Sequence, residues 1–152
     1  MLLSRRVGLV VLCGGVSGAF AGSVFAAPPV SQSSGYAIGG FDVVAYYAKK
    51  AAVRGKAEFK YVWREATWLF ESIENRDKFA ANPESFVPQY GGHCAMSMVN
   101  GKQGRGDPQA WSVRDGKLYL NGNQDVNRRF NEDGDTYVAR ANDWWKRSYE
   151  NR

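Results

Sequence analysis

Apolar and polar residues alternate in two pairs of short segments, residues 58–63 with 67–70 and residues 110–113 with 117–120. Alternation with a period of two is typical of a half-buried strand, because successive side chains point to opposite faces. The second pair flanks Asp115-Gly116, a dipeptide that favours the tight turn of a hairpin. The pattern therefore predicts two antiparallel hairpins.

Two helices are predicted in the first half of the chain from residues that suit a helix N-terminus. Asp42 precedes the apolar residues 43–46, and Ser72 precedes residues 73–80. The side chains of Asp and Ser accept hydrogen bonds from the free amides at the start of a helix. We therefore expect each of them to cap the helix that follows it.

Two more helices are predicted in the second half. Asn121 is expected to begin the first, whose inward side carries Val126 and Phe130, four residues apart. Asp135 is expected to cap the last helix. That helix has an apolar stripe at helical spacing, made of Val138, Ala141, Trp145 and Tyr149.

Composition divides the chain into three parts. Residues 1–26 combine two arginines, an apolar run and small residues, the layout of a cleaved signal peptide. The run is too short and too rich in glycine to span a bilayer, which needs ~20 apolar residues. Residues 27–35, with proline and serine, are predicted to be a linker. Residues 36–150 are predicted to form one α+β domain, in which the hairpins build a small antiparallel sheet and the helices pack on it.

The net charge of the chain and its predicted export both bear on the partners it can have. The formal net charge is +5, and removal of residues 1–26 takes away two arginines and no acidic residue, which leaves +3. This modest charge includes no basic block of the kind found in nucleic-acid-binding proteins. We expect a periplasmic or secreted protein with no nucleic-acid partner and no stable membrane insertion after signal cleavage.

The segment QYGGHCAMSMVNG concentrates donors that bind soft metal ions. It contains the only histidine of the chain, His93, and two of its three methionines, Met96 and Met98. It also contains Cys94, the only cysteine outside the predicted signal peptide. Thiolate, thioether and imidazole ligands favour Cu(I), whereas a structural zinc site needs about four Cys, His or carboxylate ligands. The segment therefore predicts a metal site made of these four residues, with copper as the favoured ion.

Backbone conformation decides which of these donor side chains can meet. In a strand, Cys94, Met96 and Met98 share one face, whereas in a helix Cys94 and Met98 share a face that Met96 leaves.

A second hypothesis involves no metal, because cysteine and methionine are also common in protein cores. Cys94 would then be an inert core residue of a module that binds a partner protein or a small molecule. Tyr90 and Trp111 are the candidate residues for its aromatic-lined ligand pocket.

The sequence does not predict catalysis. A cysteine nucleophile needs a base whose ring reaches the sulfur, and His93 is the immediate neighbour of Cys94 in the chain. Adjacent side chains usually diverge, and no serine stands in a Gly-x-Ser-x-Gly setting. We therefore expect a binding protein rather than an enzyme.

Four stretches of the chain resemble the exported branch of the YHS-domain family, and the similarity runs from Tyr36 to Trp145. They are FDVVAYY, ATWLFESIENRDKFAANPESFVPQYGGHCAMSM, GDPQAW and DGKLYLN. The resemblance implies a small α+β domain, and in some multidomain relatives such domains accompany heavy-metal transport ATPases and bind metal through cysteines. Those relatives carry a Cys-x-x-Cys pair, whereas this chain has no cysteine from Ala27 to His93. The resemblance therefore implies a metal role for Cys94 alone.

Overall fold

The structure is a computed structural model that describes residues 28–150. Within them the chain forms five α-helices and three antiparallel sheets of two strands each. The α+β class predicted from the sequence is confirmed. Residues 1–26, the predicted signal peptide, lie outside the described residues. None of the helices in the described part is long and apolar enough to cross a membrane.

Both predicted hairpins form, but they do not join into one sheet. The register shifts between Lys56 and Lys60 in one hairpin and between Asp107 and Trp111 in the other, and irregular pairing of this kind bends a strand and turns its edge away from neighbours. The structure therefore has three small sheets where the sequence predicted one. The paired strands are β1 Gln32–Ser33 with β2 Tyr36–Ala37, β3 Lys56–Trp63 with β4 Ala66–Phe70, and β5 Asp107–Arg114 with β6 Lys117–Asn121.

The first two helices begin at the predicted caps. The side chain of Asp42 accepts hydrogen bonds from Val44 N at 2.8 Å and from Ala45 N at 3.3 Å. The hydroxyl of Ser72 accepts from Asn75 N at 3.2 Å. The helices are α1 Val43–Ala48, α2 Ile73–Ala81, α3 Ala95–Val99, α4 Gln124–Glu132 and α5 Gly134–Trp145, with a π-helical turn Lys146–Glu150 after α5.

The predicted start of α4 at Asn121 is wrong, because a tertiary contact uses that side chain. Asn121 is the last residue of β6 and is fully buried. Its Oδ1 accepts a hydrogen bond from Met96 N at 3.1 Å. Asn123 caps α4 instead, accepting from Val126 N at 2.9 Å.

The predicted cap of α5 at Asp135 is also wrong. The cap position is Asp133 and the helix begins at Gly134, two residues earlier than predicted; a Cβ atom at Gly134 would overlap the guanidinium of Arg114. Asp135 lies in the first turn and pairs with Arg114, with Nη2 2.7 Å from Oδ1. The side chain of Arg114, the last residue of β5, therefore contacts the start of this helix.

The strand β6 separates two apolar cores, because its side chains point alternately to opposite faces. Leu118 and Leu120 face the first core, and Tyr119 faces the second core. The first core also contains Tyr46, Trp68, Phe70 and Phe79. The second core lies among α3, α4 and α5 and contains Tyr90, Cys94, Met98, Phe130, Ala141 and Trp145.

Part of the segment predicted to be a linker packs against the domain. Ser31 is buried; its backbone N–H donates to Gly91 O at 2.8 Å, and its carbonyl accepts from Ile38 N at 2.8 Å. The next two residues form β1. Packed structure therefore begins before Tyr36. Residues of this segment also line two of the cavities described below.

Candidate functional site

The turn that leads into the donor segment is held in left-handed backbone. Tyr90, Gly91 and Gly92 have φ of 56°, 60° and 82°. A Cβ atom at Gly91 would overlap Pro29 O, and one at Gly92 would lie 2.5 Å from a methyl carbon of Ile38. Glycine is therefore required at both positions, whereas the aromatic Tyr90 adopts this conformation at a cost in strain.

His93 is buried with both ring nitrogens in hydrogen bonds. Nδ1 lies 2.8 Å from Tyr90 O, and Nε2 lies 2.6 Å from the amide nitrogen of Gln103. A neutral ring that donates from Nδ1 and accepts at Nε2 satisfies both contacts. Burial lowers the pKa of His93, and the hydrogen bond to Tyr90 opposes this effect only in part. The arrangement favours the neutral imidazole and leaves neither nitrogen free for a metal ion.

Cys94 is a buried free cysteine at the start of α3. Its backbone N–H donates to Gly104 O at 2.9 Å, and the residue bridges to Leu120 of β6. Its thiol sulfur lies 4.0 Å from Asn121 Oδ1, and a Cβ atom added at Gly122 would lie 3.7 Å from the same sulfur. The thiol is therefore enclosed by the end of β6.

The methionines lie on α3, so the helical alternative applies to this segment. Met98 N lies 3.3 Å from Cys94 O, which puts Cys94 and Met98 one turn apart on one side. Met98 is fully buried, and Met96 is buried elsewhere on the helix surface. Among the described residues, no three or more His, Cys, Asp and Glu side chains are grouped so that they could hold a metal ion.

The two predicted ligand-pocket residues lie in different parts of the molecule. Trp111 packs beside the first core, with its ring centroid 5.1 Å from that of Tyr46. Tyr90 belongs to the second core, and its hydroxyl donates to Asn142 Oδ1 at 2.8 Å. Burial raises the pKa of Tyr90, so the phenol keeps its proton. Trp111 and Tyr90 therefore pack with different cores.

Tyr90 nevertheless lines two small cavities, each of about 210 Å³. Both are also lined by Gln89 and Trp145. One extends towards Pro88 and the Arg64–Glu84 ion pair, whereas the other extends towards Asn142 and Lys146. We call the surface made by Gln89, Tyr90, Asn142, Trp145 and Lys146 the Tyr90 groove.

Sequence reasoning missed several residues of this region. Asn142 and Lys146 lie on the polar side of a helical pattern that drew attention only to its apolar stripe. Gln103 lies in a loop, and nothing in its sequence neighbourhood indicates a partner ten residues away. The apolar stripe at helical spacing predicts Trp145 as a core residue and gives no sign that this residue also borders a cavity.

Comparisons of the chain with protein-family models, with curated proteins and with solved structures found no match.

Proposed function

We propose that this chain is an exported, YHS-like, non-catalytic binding protein that holds a small planar molecule in the Tyr90 groove. Cys94 and Met98 are core residues in this proposal. The observation that carries it is the strained backbone of Tyr90, a buried aromatic residue with φ of 56° that borders two cavities.

Strain at Tyr90 supports the proposal because it needs a reason. A non-glycine residue in the left-handed region costs of order 1–3 kcal/mol and persists only where surrounding contacts hold it. Here the hydroxyl bond to Asn142 and the bond from Ser31 N to Gly91 O hold the turn from both sides. Such strain is concentrated at binding sites, where it fixes a side chain before the ligand arrives.

The chemistry of the groove fits a small planar ligand. Ligand sites commonly combine aromatic walls with a few polar groups that fix orientation. The rings of Tyr90 and Trp145, which pack edge to face with centroids 5.8 Å apart, both border the groove. Gln89, Asn142 and Lys146 supply hydrogen-bonding groups at the rim. The cavities of about 210 Å³ are smaller than the ~300–1,000 Å³ of pockets for drug-sized ligands, which favours a small molecule.

Proton-detected ¹H–¹⁵N spectra of the folded protein test the proposal, with indole, quinoline and purine as probes. At least one probe should cause saturable shifts of the amides of Gln89, Asn142 and Lys146. Asn142→Ala should weaken that binding about fivefold, as expected for loss of a hydrogen bond of ~1 kcal/mol. Asn131→Ala, a matched change on the exposed side of α4, should not. Absence of saturable shifts in the groove with all three probes would contradict the proposal.

A copper site is a second candidate, supported by the position of Cys94 and Met98 one helical turn apart in a sulfur-containing core. Cu(I) there would need the thiolate and thioether as ligands, and His93 could join only by giving up its hydrogen bond to Gln103 or the one to Tyr90 O. Titration with Cu(I) of wild type, Cys94→Ala and Met98→Ala distinguishes the two candidates. Weaker binding in both variants supports copper, whereas equal affinity in all three supports the core role.

A further inference from the structure

Another cavity, away from the Tyr90 groove, has two arginines among its lining residues. Its volume is about 240 Å³, and its walls come from the segment around Ile38 and from residues 105–109. Arg54 and Arg105 are both among its lining residues. We call it the arginine cavity and define it by Ser33, Ile38, Phe41, Arg54, Arg105 and Asp107.

The two arginines of the cavity have no carboxylate partner among the described residues, unlike most of the others. Arg54 lies over the ring of Phe41, with Cζ 4.6 Å from the centroid, and Nη1 donates to Gly39 O at 3.4 Å. Arg105 donates from Nη2 to the hydroxyl of Ser33. Each guanidinium has five N–H donors, so these contacts leave donors free on both. The arginines with carboxylate partners are Arg64, Arg76, Arg114, Arg128 and Arg147.

The backbone of both arginines is fixed by pairing with another part of the chain. Arg54 forms an isolated antiparallel bridge with Phe41, and Arg105 forms one with His93. A Cβ atom at Gly106 would overlap Gly92 O, so glycine is needed to hold the Arg105 loop at this distance. The backbone at Arg54 and at Arg105 is therefore held against other parts of the domain.

Strain lies at this cavity as well. Ile38, Gly39 and Gly40 have φ of 42°, 66° and 79°, and Ile38 is buried. A β-branched residue rarely adopts positive φ, because its side chain crowds the backbone in that region. Strain, anchored cations and a cavity thus occur together at one place.

The charge of the lining indicates the class of ligand. Arg54 and Arg105 line the cavity together with one acidic residue, Asp107, so the lining carries a net positive charge. Guanidinium binds carboxylate and phosphate oxygens through paired N–H donors. We propose that the arginine cavity is a binding site for a small oxoanion, a carboxylate or phosphate compound held between Arg54 and Arg105. This site is independent of the function proposed for the Tyr90 groove.

Titrations monitored by ¹H–¹⁵N spectra test the site, with sodium phosphate and sodium malonate as separate probes at matched ionic strength. Saturable shifts of the amides of Ser33, Gly39 and Gly106 support the site, and the probe that binds more tightly identifies the oxoanion. At about 10 mM probe, even a site with a Kd near 1 mM is mostly occupied. Absence of saturable shifts there with either probe overturns the proposal.

Variants separate a specific site from general attraction of anions. Arg54→Gln and Arg105→Gln should each raise the Kd about tenfold or more, since each removes a charge-assisted contact. Arg128→Gln removes the same charge from an exposed position on α4 and should leave the Kd unchanged. An equal effect in all three variants overturns the proposal.

Conservative variants protect the test against loss of folding. Arg54→Lys and Arg105→Lys keep the charge and lose the paired donors, so a smaller rise in Kd is expected for each. Urea unfolding shows whether each variant is folded. Unchanged affinity in folded Gln and Lys variants alike overturns the assignment of these arginines.

Discussion

The first core and the second core are built from different chemistry. In the first, the ring of Phe79 packs against four other aromatic rings at centroid distances between 5.1 and 6.1 Å, those of Tyr61, Trp63, Trp68 and Phe70. In the second, sulfur and polar groups lie among the apolar side chains, and His93, Cys94 and Asn121 each have a defined neighbour. Aromatic packing therefore dominates the first core, whereas the second combines thiol, imidazole and amide groups with its apolar side chains.

Left-handed backbone shows what the two cores share. Among the non-glycine residues with positive φ in the described part of the chain, Ile38 and Tyr90 are the two that are buried. Ile38 packs in the first core and borders the arginine cavity, while Tyr90 packs in the second and borders the Tyr90 groove. Each core thus carries one strained residue at the place where it meets a cavity.

Removal of the central ring of the first core should have the largest effect on stability. Phe79→Ala should lower the free energy of unfolding by about 4 kcal/mol, because Phe79 is fully buried and its loss leaves a cavity among four rings. Urea unfolding measures the change. Val62→Ala, at a side chain that is 66% exposed, is the control and should change stability by less than about 0.5 kcal/mol. Equal effects would contradict the assignment of the first core.

The turn before the second core should be the next most sensitive point. Gly91→Ala should lower the free energy of unfolding by about 3 kcal/mol, since it adds strain at φ of 60° and an overlap with Pro29 O. Gly116→Ala is a matched control, with φ of 72° and open space around its Cβ position. It should cost only about 1 kcal/mol, the strain alone. Similar losses in both variants would show that residues 28–31 do not pack on this turn.

Loss of one hydroxyl should separate packing from hydrogen bonding in the second core. Tyr90→Phe keeps the ring but removes the bond to Asn142, so a loss of about 1 kcal/mol is expected. Tyr137→Phe, on another ring packed against the same core, should have a smaller effect. Chemical denaturation of the two variants gives the comparison. A larger loss for Tyr137→Phe would contradict the role of the Tyr90 bond.

The pH dependence of stability should report the burial of His93 and is the smallest effect expected. Because the folded protein lowers the pKa of His93 below its usual 6.5, the unfolded chain takes up a proton more readily just below that pH. The contribution of His93 to the free energy of unfolding should therefore be fully present above pH 6.5 and should be lost as the pH decreases below that value. His93→Gln should flatten the profile between about pH 7 and 5.5. An unchanged slope in the variant would show that His93 titrates normally.

Local signals in the sequence predicted most of the scaffold. The caps at Asp42 and Ser72 and the turn at Asp115-Gly116 depend on neighbours within a few residues, so a short stretch of sequence specifies them. The first residues of α4 and α5 were predicted wrongly, because the side chains of Asn121 and Asp135 bond to distant parts of the chain. Local pattern cannot show such partners.

The candidate sites were less predictable for the same reason. The sequence placed Tyr90 next to the donor segment and grouped it with Trp111 as a pocket residue, whereas Trp111 packs beside the other core. Arg54 and Arg105 are 51 positions apart in the chain, and each resembles an ordinary surface charge until the fold brings both to one cavity. Residues that meet only through tertiary structure have no characteristic spacing in the sequence.

The reactivity of Cys94 tests most directly whether the donor segment is core or metal site. In a chain carrying Cys13→Ser, Cys94 is the only thiol, and its alkylation rate can be followed by mass with and without Cu(I). The account predicts slow labelling in both conditions, at a rate that rises only when urea unfolds the protein. Rapid labelling of the folded, metal-free protein that Cu(I) abolishes would contradict it.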